Sequence, residues 1–260
     1  MSNLLESLPI TIIYLLILVS MLVCVEIGYR FGINIRSRTD KEASSHIGPI
    51  IGGLIGMLAF LLAFTFNTAY NQHVTRQLNV LLEANAIGTA YNRAELVDQY
   101  YGKQIQSLLR EYVDIRMKVV ERKMKLAEGL KESEKIHTLL WDQTTKLSSE
   151  HPTILTSLLI QSINEVIDLH NIRITDALYN LIHPAVGITL LMITMLSMLT
   201  MGYQMGLTGK RRLYPLFALS IAFTMLISLI IDLNSPANGF IQVSQRTMKD
   251  LQIKVHQLNE

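Results

Sequence analysis

Four apolar stretches, about Leu8–Tyr29, Ile47–Phe66, Pro184–Met205 and Leu213–Leu233, stand two on each side of a polar segment, residues 67–183. At about 1.5 Å rise per residue, each stretch covers the roughly 30 Å hydrocarbon core of a bilayer. The pattern predicts an all-α integral membrane protein with four transmembrane helices and a long extramembrane helical hairpin domain between spans 2 and 3. It divides the chain into residues 1–66 for the first two spans, 67–183 for the helical domain, 184–235 for the last two spans and 236–260 for a tail. Half of the residues are hydrophobic and only 17% are charged, a balance rare in soluble domains of this length.

The first stretch lacks a basic flank before it and a small-residue cleavage site before Glu26, so it reads as a retained span. The single cysteine, Cys24, lies inside that span, which excludes an intrachain disulfide and any multi-cysteine metal site. Sidedness follows from the basic residues. Arg30, Arg36, Arg38 and Lys41 crowd the connection between spans 1 and 2, and Lys210, Arg211 and Arg212 fill the one between spans 3 and 4. Both connections are therefore expected in the cytoplasm, with the helical domain and both tails on the other side. In a Gram-negative cell that side is the periplasm.

The polar segment holds 13 Lys and Arg against 14 Asp and Glu, so no basic face for nucleic acid stands out and its expected partner is a second copy of itself. No proline falls between Pro49 and Pro152. Within that run, Gln104–Leu126 carries a stripe of Ile105, Leu108, Tyr112, Ile115, Val119 and Leu126, interrupted by Arg122, which predicts a long amphipathic helix. A second helix is expected over about Thr153–Ile182, with Leu155, Leu159, Ile163, Val166, Ile174, Leu178 and Leu181 on one side and Ser148, Ser149 and Pro152 as its start signal. The two are expected to pair as an antiparallel hairpin. Lys118–Lys135, interleaved with glutamates, reads as a solvated helix tip laced with i,i+4 pairs.

Span 2 sets Gly48, Gly52, Gly56, Ala59 and Ala63 close to one helical face, the small-residue stripe that lets backbones approach in lipid. Beside it Phe60, Phe64 and Asn67 follow at i, i+4 and i+7. Two readings stand: ordinary helix packing or lipid contact, or, around a symmetry axis, a pore lined by Gly56, Phe60, Phe64 and Asn67 that gates by dewetting. Glu26 and Asp232 are carboxylates within or at the ends of spans, costly enough to mark function. Each also has a plainer role: Glu26 as an i,i+4 partner of Arg30, Asp232 as a terminator of its span. On the helix leaving span 2 lie Glu83, Asn85 and Arg93, and on the next stretch Arg110, Asp114 and Arg116, placed to pair as structural or gating ion pairs. Gly88 between them implies a kink or a close helix contact.

Catalytic signatures are missing: there is no phosphate-binding loop, no zinc-protease helix, no nucleophile elbow and no dinucleotide fingerprint. Glu165, Asp168 and His170 do not share one helical face, so no metal site and no cofactor are expected.

The blocks GLIGMLAFLLAFTFNTA, EANAIGTAYNRAEL, LLREYVDIRM, INEVIDLHNIR, MGYQMGLTGKRRLYP and LIIDLNSPANGFIQVSQ resemble the bestrophin-like family of bacterial membrane proteins, and more remotely the bestrophins themselves. Bestrophins are pentameric anion channels in which the second span of each subunit lines an apolar neck. The resemblance thus implies a homo-oligomer, a pentamer, with Phe60 and Phe64 in the neck, conducting anions such as chloride in contact with membrane lipid. Two departures stand out. Arg76 is single where the family pattern pairs arginines, and the fourth span ends Leu233-Asn234-Ser235-Pro236 instead of Asp-Arg-Pro. Bestrophins also hold their large domain in the cytoplasm, opposite to the side that the basic connections give here. The expected function is an oligomeric, anion-conducting channel of the bacterial inner membrane and not an enzyme; the alternative is a non-conducting scaffold or envelope sensor acting through the helical domain.

Overall fold

The computed structural model describes residues 10–36, 47–209, 211, 213–235 and 239–257, and among these every regular element is a helix. In chain order they are α1 (Ile10–Ile35), α2 (Ile47–Ala94), α3 (Gln99–Val120), α4 (Leu126–Glu150), α5 (Ile154–Leu178), α6 (Pro184–Thr208), α7 (Leu213–Leu233) and α8 (Arg246–Gln257). Four of them, α1, α2, α6 and α7, are long and apolar enough to cross a bilayer. The chain divides into two compact units, one from Met1–His73 with Leu181–Gln242, the other from Val74–Asn180 with Val243–Glu260.

In the membrane unit, α1 and α6 run parallel at the closest approach their backbones allow. Gly28 and Gly32 on α1 face Gly202 and Gly206 on α6. A Cβ on Gly28 would fall on the Leu199 carbonyl, and one on Gly202 on the Val25 carbonyl. These are two small-xxx-small motifs, GYRFG and GYQMG, meeting face to face. Buried hydroxyls need partners where no water reaches, and Thr65, Thr194, Ser197, Ser220 and Thr224 each donate to the carbonyl four residues back. Helix α6 begins with Pro184 in its first turn and His183 Nδ1 accepting from the Ala185 N–H at 3.2 Å. It ends at Gly209, whose φ of 68° is open to glycine at little steric cost.

The second unit is a bundle. Helix α2 has 48 residues, about 70 Å at 1.5 Å each, and so runs unbroken from the apolar stretch into the polar segment. Its outer half packs antiparallel to α5: Arg93 reaches Leu158, Glu83 meets Arg173, and Arg76 meets Asp176. Antiparallel to α3, Glu83 meets Tyr112 while the Tyr91 carbonyl accepts from Gln106. The core between the rods contains Ile87, Ile105, Leu109, Leu140, Leu147, Leu159, Ile163 and Val166, all fully buried.

The helical hairpin read from sequence is thus doubled: α4 stands between the two amphipathic helices, and α3 and α5 run in the same direction. The continuous helix expected through Arg122 to Leu126 stops at Val120. Arg122 adopts φ 58°, and the Lys123 and Met124 N–H groups both return to the Lys118 carbonyl, which closes the helix end and turns the chain. The lysine-rich stretch is this corner plus the start of α4, with exposed pairs Lys123–Glu121 at 2.5 Å and Lys135–Glu132 at 2.6 Å. The segment after span 4 also packs: α8 buries Met248 and Val255 in the bundle, and Leu251 lies 3.5 Å from where a Gly88 Cβ would be. Helix α2 therefore continues through Gly88 without a break, and the neighbour there is at ordinary van der Waals distance.

Candidate functional site

At the middle of the bundle sits a carboxylate shut off from water. Glu83 of α2 is 0% exposed and faces Arg173 of α5 and, at 3.5 Å, Arg116 of α3. The Tyr112 hydroxyl donates to Glu83 Oε1 at 2.5 Å and lies 2.7 Å from His170 Nδ1. A phenol has one proton, and here the carboxylate takes it, so His170 must donate through Nδ1. Burial raises the Glu83 pKa, but Arg116 and Arg173, with His170 Nδ1 3.9 Å away and the hydrogen bond from Tyr112, outweigh it and hold the carboxyl well below its usual range. Burial pushes the other way at His137 of α4: with His170 and Arg116 close by, it is lowered to about 4. The rings of His137 and His170 stack edge to face with centroids 4.6 Å apart, and Tyr112 lies 5.0 Å from His137.

Three of the blocks that carry the family resemblance, EANAIGTAYNRAEL, LLREYVDIRM and INEVIDLHNIR, meet at this cluster. Glu83 and Arg116 come together there. Arg173, Tyr112, His137 and His170 were not singled out from sequence as a group, because each lies on a different helix from Glu83 and only the bundle's register unites them. Of the remaining residues marked as ion pairs, Arg93 donates to the Leu158 carbonyl at 2.8 Å and Ser162 Oγ at 2.6 Å. Arg110 donates to the Tyr91 hydroxyl at 3.2 Å and lies 5.9 Å over its ring. Asp114 accepts from Gln252 at 2.6 Å and lies 3.1 Å from His256 Nε2, tying α8 to α3. The single Arg76, 4% exposed, donates to the Asp176 and Asn180 carbonyls at the end of α5, where a cation complements the helix dipole.

In the membrane unit the two carboxylates have different settings. Glu26 is ion-paired with Arg30 and with Arg211, each at 2.9 Å, so Arg211 of the second basic connection reaches back to span 1. Arg38, Lys41, Lys210 and Arg212 lie outside the described residues. Asp232, 4% exposed, accepts from the Phe240 and Ile241 N–H groups at 2.7 and 2.8 Å and from the Tyr14 hydroxyl at 3.3 Å, which ends α7 and pins the turn that follows it.

One face of α2 is bare. Phe60 and Phe64 are 71% and 65% exposed, Gly56 and Asn67 are exposed beside them, and a Cβ at Gly52, Gly53 or Gly56 would meet nothing within 4 Å. Among the described residues no group of His, Cys, Asp or Glu is placed to hold a metal ion.

The fold and these sites define a four-span helical membrane protein that carries an extramembrane helical bundle. It belongs to the bestrophin-like family, whose domain matches residues 14–248. Two solved structures of a bacterial bestrophin homologue from Klebsiella pneumoniae share its fold. A mutant form has a TM-score of 0.63 at 14% identity over 94% of this chain and 98% of that one. The other has a TM-score of 0.62 at 12% identity over 92% and 97%. A mutant described as a membrane protein aligns at 0.63 and 13% over 96% of each chain. Comparison with curated proteins found no match.

Proposed function

We propose that the protein forms an oligomeric, anion-conducting channel of the bacterial inner membrane, a pentamer in which α2 of each subunit lines an apolar neck. The bare face of α2 carries this reading. Lipid-facing positions on α1 are bulky aliphatics, Leu15, Leu16, Val19, Val23 and Ile27, all exposed. The free face of α2 instead combines glycine and alanine with two rings and ends at Asn67, a surface suited to tight contact with other helices and to a dewetting constriction. A closed ring of identical subunits is the symmetric way to cover it.

Liposomes with wild type, Phe60→Ala/Phe64→Ala and Asn67→Asp test it by chloride and potassium flux, with native mass spectrometry of each protein in parallel. The double alanine is expected to leak more, and the aspartate to shift selectivity towards cations by repulsion. Correctly assembled proteins as tight as empty vesicles at every voltage and pH would favour a scaffold or sensor. That second reading draws on the bundle's own exposed apolar side chains, Leu96, Tyr100, Trp141 and Ile154.

Both basic connections facing the cytoplasm would leave the bundle in the periplasm. In a Cys24→Ala background, a cysteine at Ser148 is then expected to react with an impermeant maleimide once only the outer membrane is opened. Labelling that requires a broken inner membrane reverses the orientation.

A further inference from the structure

The glycine contact between α1 and α6 closes only one end of that helix pair. At the other end the two helices leave room and, together with the end of α7, enclose a groove of about 630 Å³. That volume lies within the range of about 300–1,000 Å³ usual for small-molecule sites. Ile13 and Ile17 of α1, Gly187 and Leu191 of α6, and Ile227 and Ile230 of α7 stand in its walls. A Cβ on Gly187 would meet nothing within 4 Å, whereas one on Gly28 would fall on the Leu199 carbonyl. Among the described residues no Asp, Glu, Lys or Arg lines the groove. The hydroxyls of Ser20 and Thr65, which also line it, already donate to carbonyls of their own helices at 2.7 Å. Free donors remain where α6 begins and α7 stops, at His183 and Asn234. His183 Nδ1 accepts from the Ala185 N–H at 3.2 Å, so the ring proton sits on Nε2 and makes that atom a donor. Asn234 Oδ1 accepts from the Ile182 N–H at 2.8 Å, and its amide nitrogen donates.

A space of this kind is neither wet nor empty in a bilayer. Water needs two or more polar partners, which the walls do not offer, and a void forfeits the dispersion contacts of its lining. The groove opens to lipid, because Leu16 and Ile188 in its walls are 52% and 60% exposed. We propose that it is the site of one acyl chain of a membrane phospholipid, whose ester and phosphate oxygens accept from His183 Nε2 and Asn234. An apolar slot that finishes in donors at the ends of two spans suits a molecule with a hydrocarbon tail and an acceptor-rich head, and the positive end of the α6 dipole beside those donors favours the phosphate. The aliphatic span faces of a second copy bring no such acceptors. The site stands apart from conduction, since a scaffold built on the same spans would hold the same lipid.

Full-length protein in vesicles of phosphatidylethanolamine, part of it carrying a diazirine midway along one acyl chain, tests the site by photolysis and peptide mass spectrometry. Adducts are expected on Ile17, Leu190, Ile227 and Ile230, which line the groove but are buried from the surrounding bilayer. Gly187→Phe sets a ring in the open space of the wall and is expected to lower those adducts severalfold, with no change at Val23, an exposed α1 residue outside the groove. Should that variant not assemble, the pattern on the wild type decides. In native mass spectra after detergent washing, the wild type is expected to retain phospholipid, and His183→Asn, which keeps a capping side chain but shortens the donor, to lose it. Adducts confined to exposed aliphatics such as Val23, adducts on the buried residues undiminished in Gly187→Phe, or equal phospholipid retention in His183→Asn would each overturn the assignment. Groove adducts seen only on monomers and absent from the assembled protein would overturn it too, and give the groove to a second copy.

Discussion

The two units solve the same problem, holding helices together, by opposite means. In the membrane unit α1 and α6 touch backbone to backbone through Gly28, Gly32, Gly202 and Gly206, and the buried hydroxyls of Thr65, Thr194, Ser197, Ser220 and Thr224 bond to their own helices, with Asp232 at a span end. In the bundle the rods are spaced by Ile, Leu and Tyr side chains, yet a fully buried carboxylate with two arginines lies among them. Water explains the contrast. A bundle facing water gains from every apolar side chain it buries, and that gain offsets the cost of a central ion network. Lipid is as apolar as leucine, so only van der Waals contact and satisfied hydrogen bonds hold helices together there, and small residues maximise the first.

The sharpest way to break this contrast is to remove the centre of the bundle. Glu83→Gln keeps the shape but leaves Arg116 and Arg173 buried without a countercharge, and is expected to destabilise the bundle by about 3–5 kcal/mol. Urea unfolding in detergent, followed by Trp141 fluorescence, measures it, since Trp141 lies on α4 of the bundle. A loss under about 1 kcal/mol would mean that the network contributes little.

The matching change in the membrane unit is Gly202→Leu, whose Cβ would strike the Val25 carbonyl. Overpacking of this kind costs about 1–3 kcal/mol. It is expected to separate α1 from α6 while leaving the Trp141 transition unmoved, read as faster trypsin cleavage near Arg36 with the same urea midpoint. A shift in that midpoint would mean that the two units do not melt independently.

The smallest effect sharpens the electrostatic side. His137 is faced by Tyr112 and Arg116 from α3, His170 from α5 and Glu83 from α2, and folding lowers its pKa from 6.5 to about 4, mainly through burial. Between those values the unfolded chain binds a proton that the folded one refuses, so stability falls as the pH falls below 6.5. The loss is expected at about 1.4 kcal/mol per pH unit. His137→Leu should flatten that slope between pH 6.5 and 5, above the range where protonation of Glu83 in the unfolded chain adds its own loss. An unchanged slope in that variant would assign the acid sensitivity to another group.

Residue pattern alone settled much of the architecture. Hydropathy marked four spans, because a bilayer of fixed thickness demands about 20 apolar residues whatever their neighbours. The absence of proline across 50–151 allowed α2 to run on, and the 3.6 period identified α3 and α5. The α3–α4 corner was hidden, because Arg122 in a left-handed turn has no signature comparable to glycine. Gly52, Gly53 and Gly56 of α2 meet nothing within this chain, whereas the glycines of GYRFG and GYQMG, at 28–32 and 202–206 in the sequence, pack backbone to backbone. What only the tertiary structure decided is the company each charge keeps. Glu83, Arg116, His137 and Arg173 sit on four helices, and their meeting depends on the rotation and register of each rod, which a helix's own periodicity does not fix.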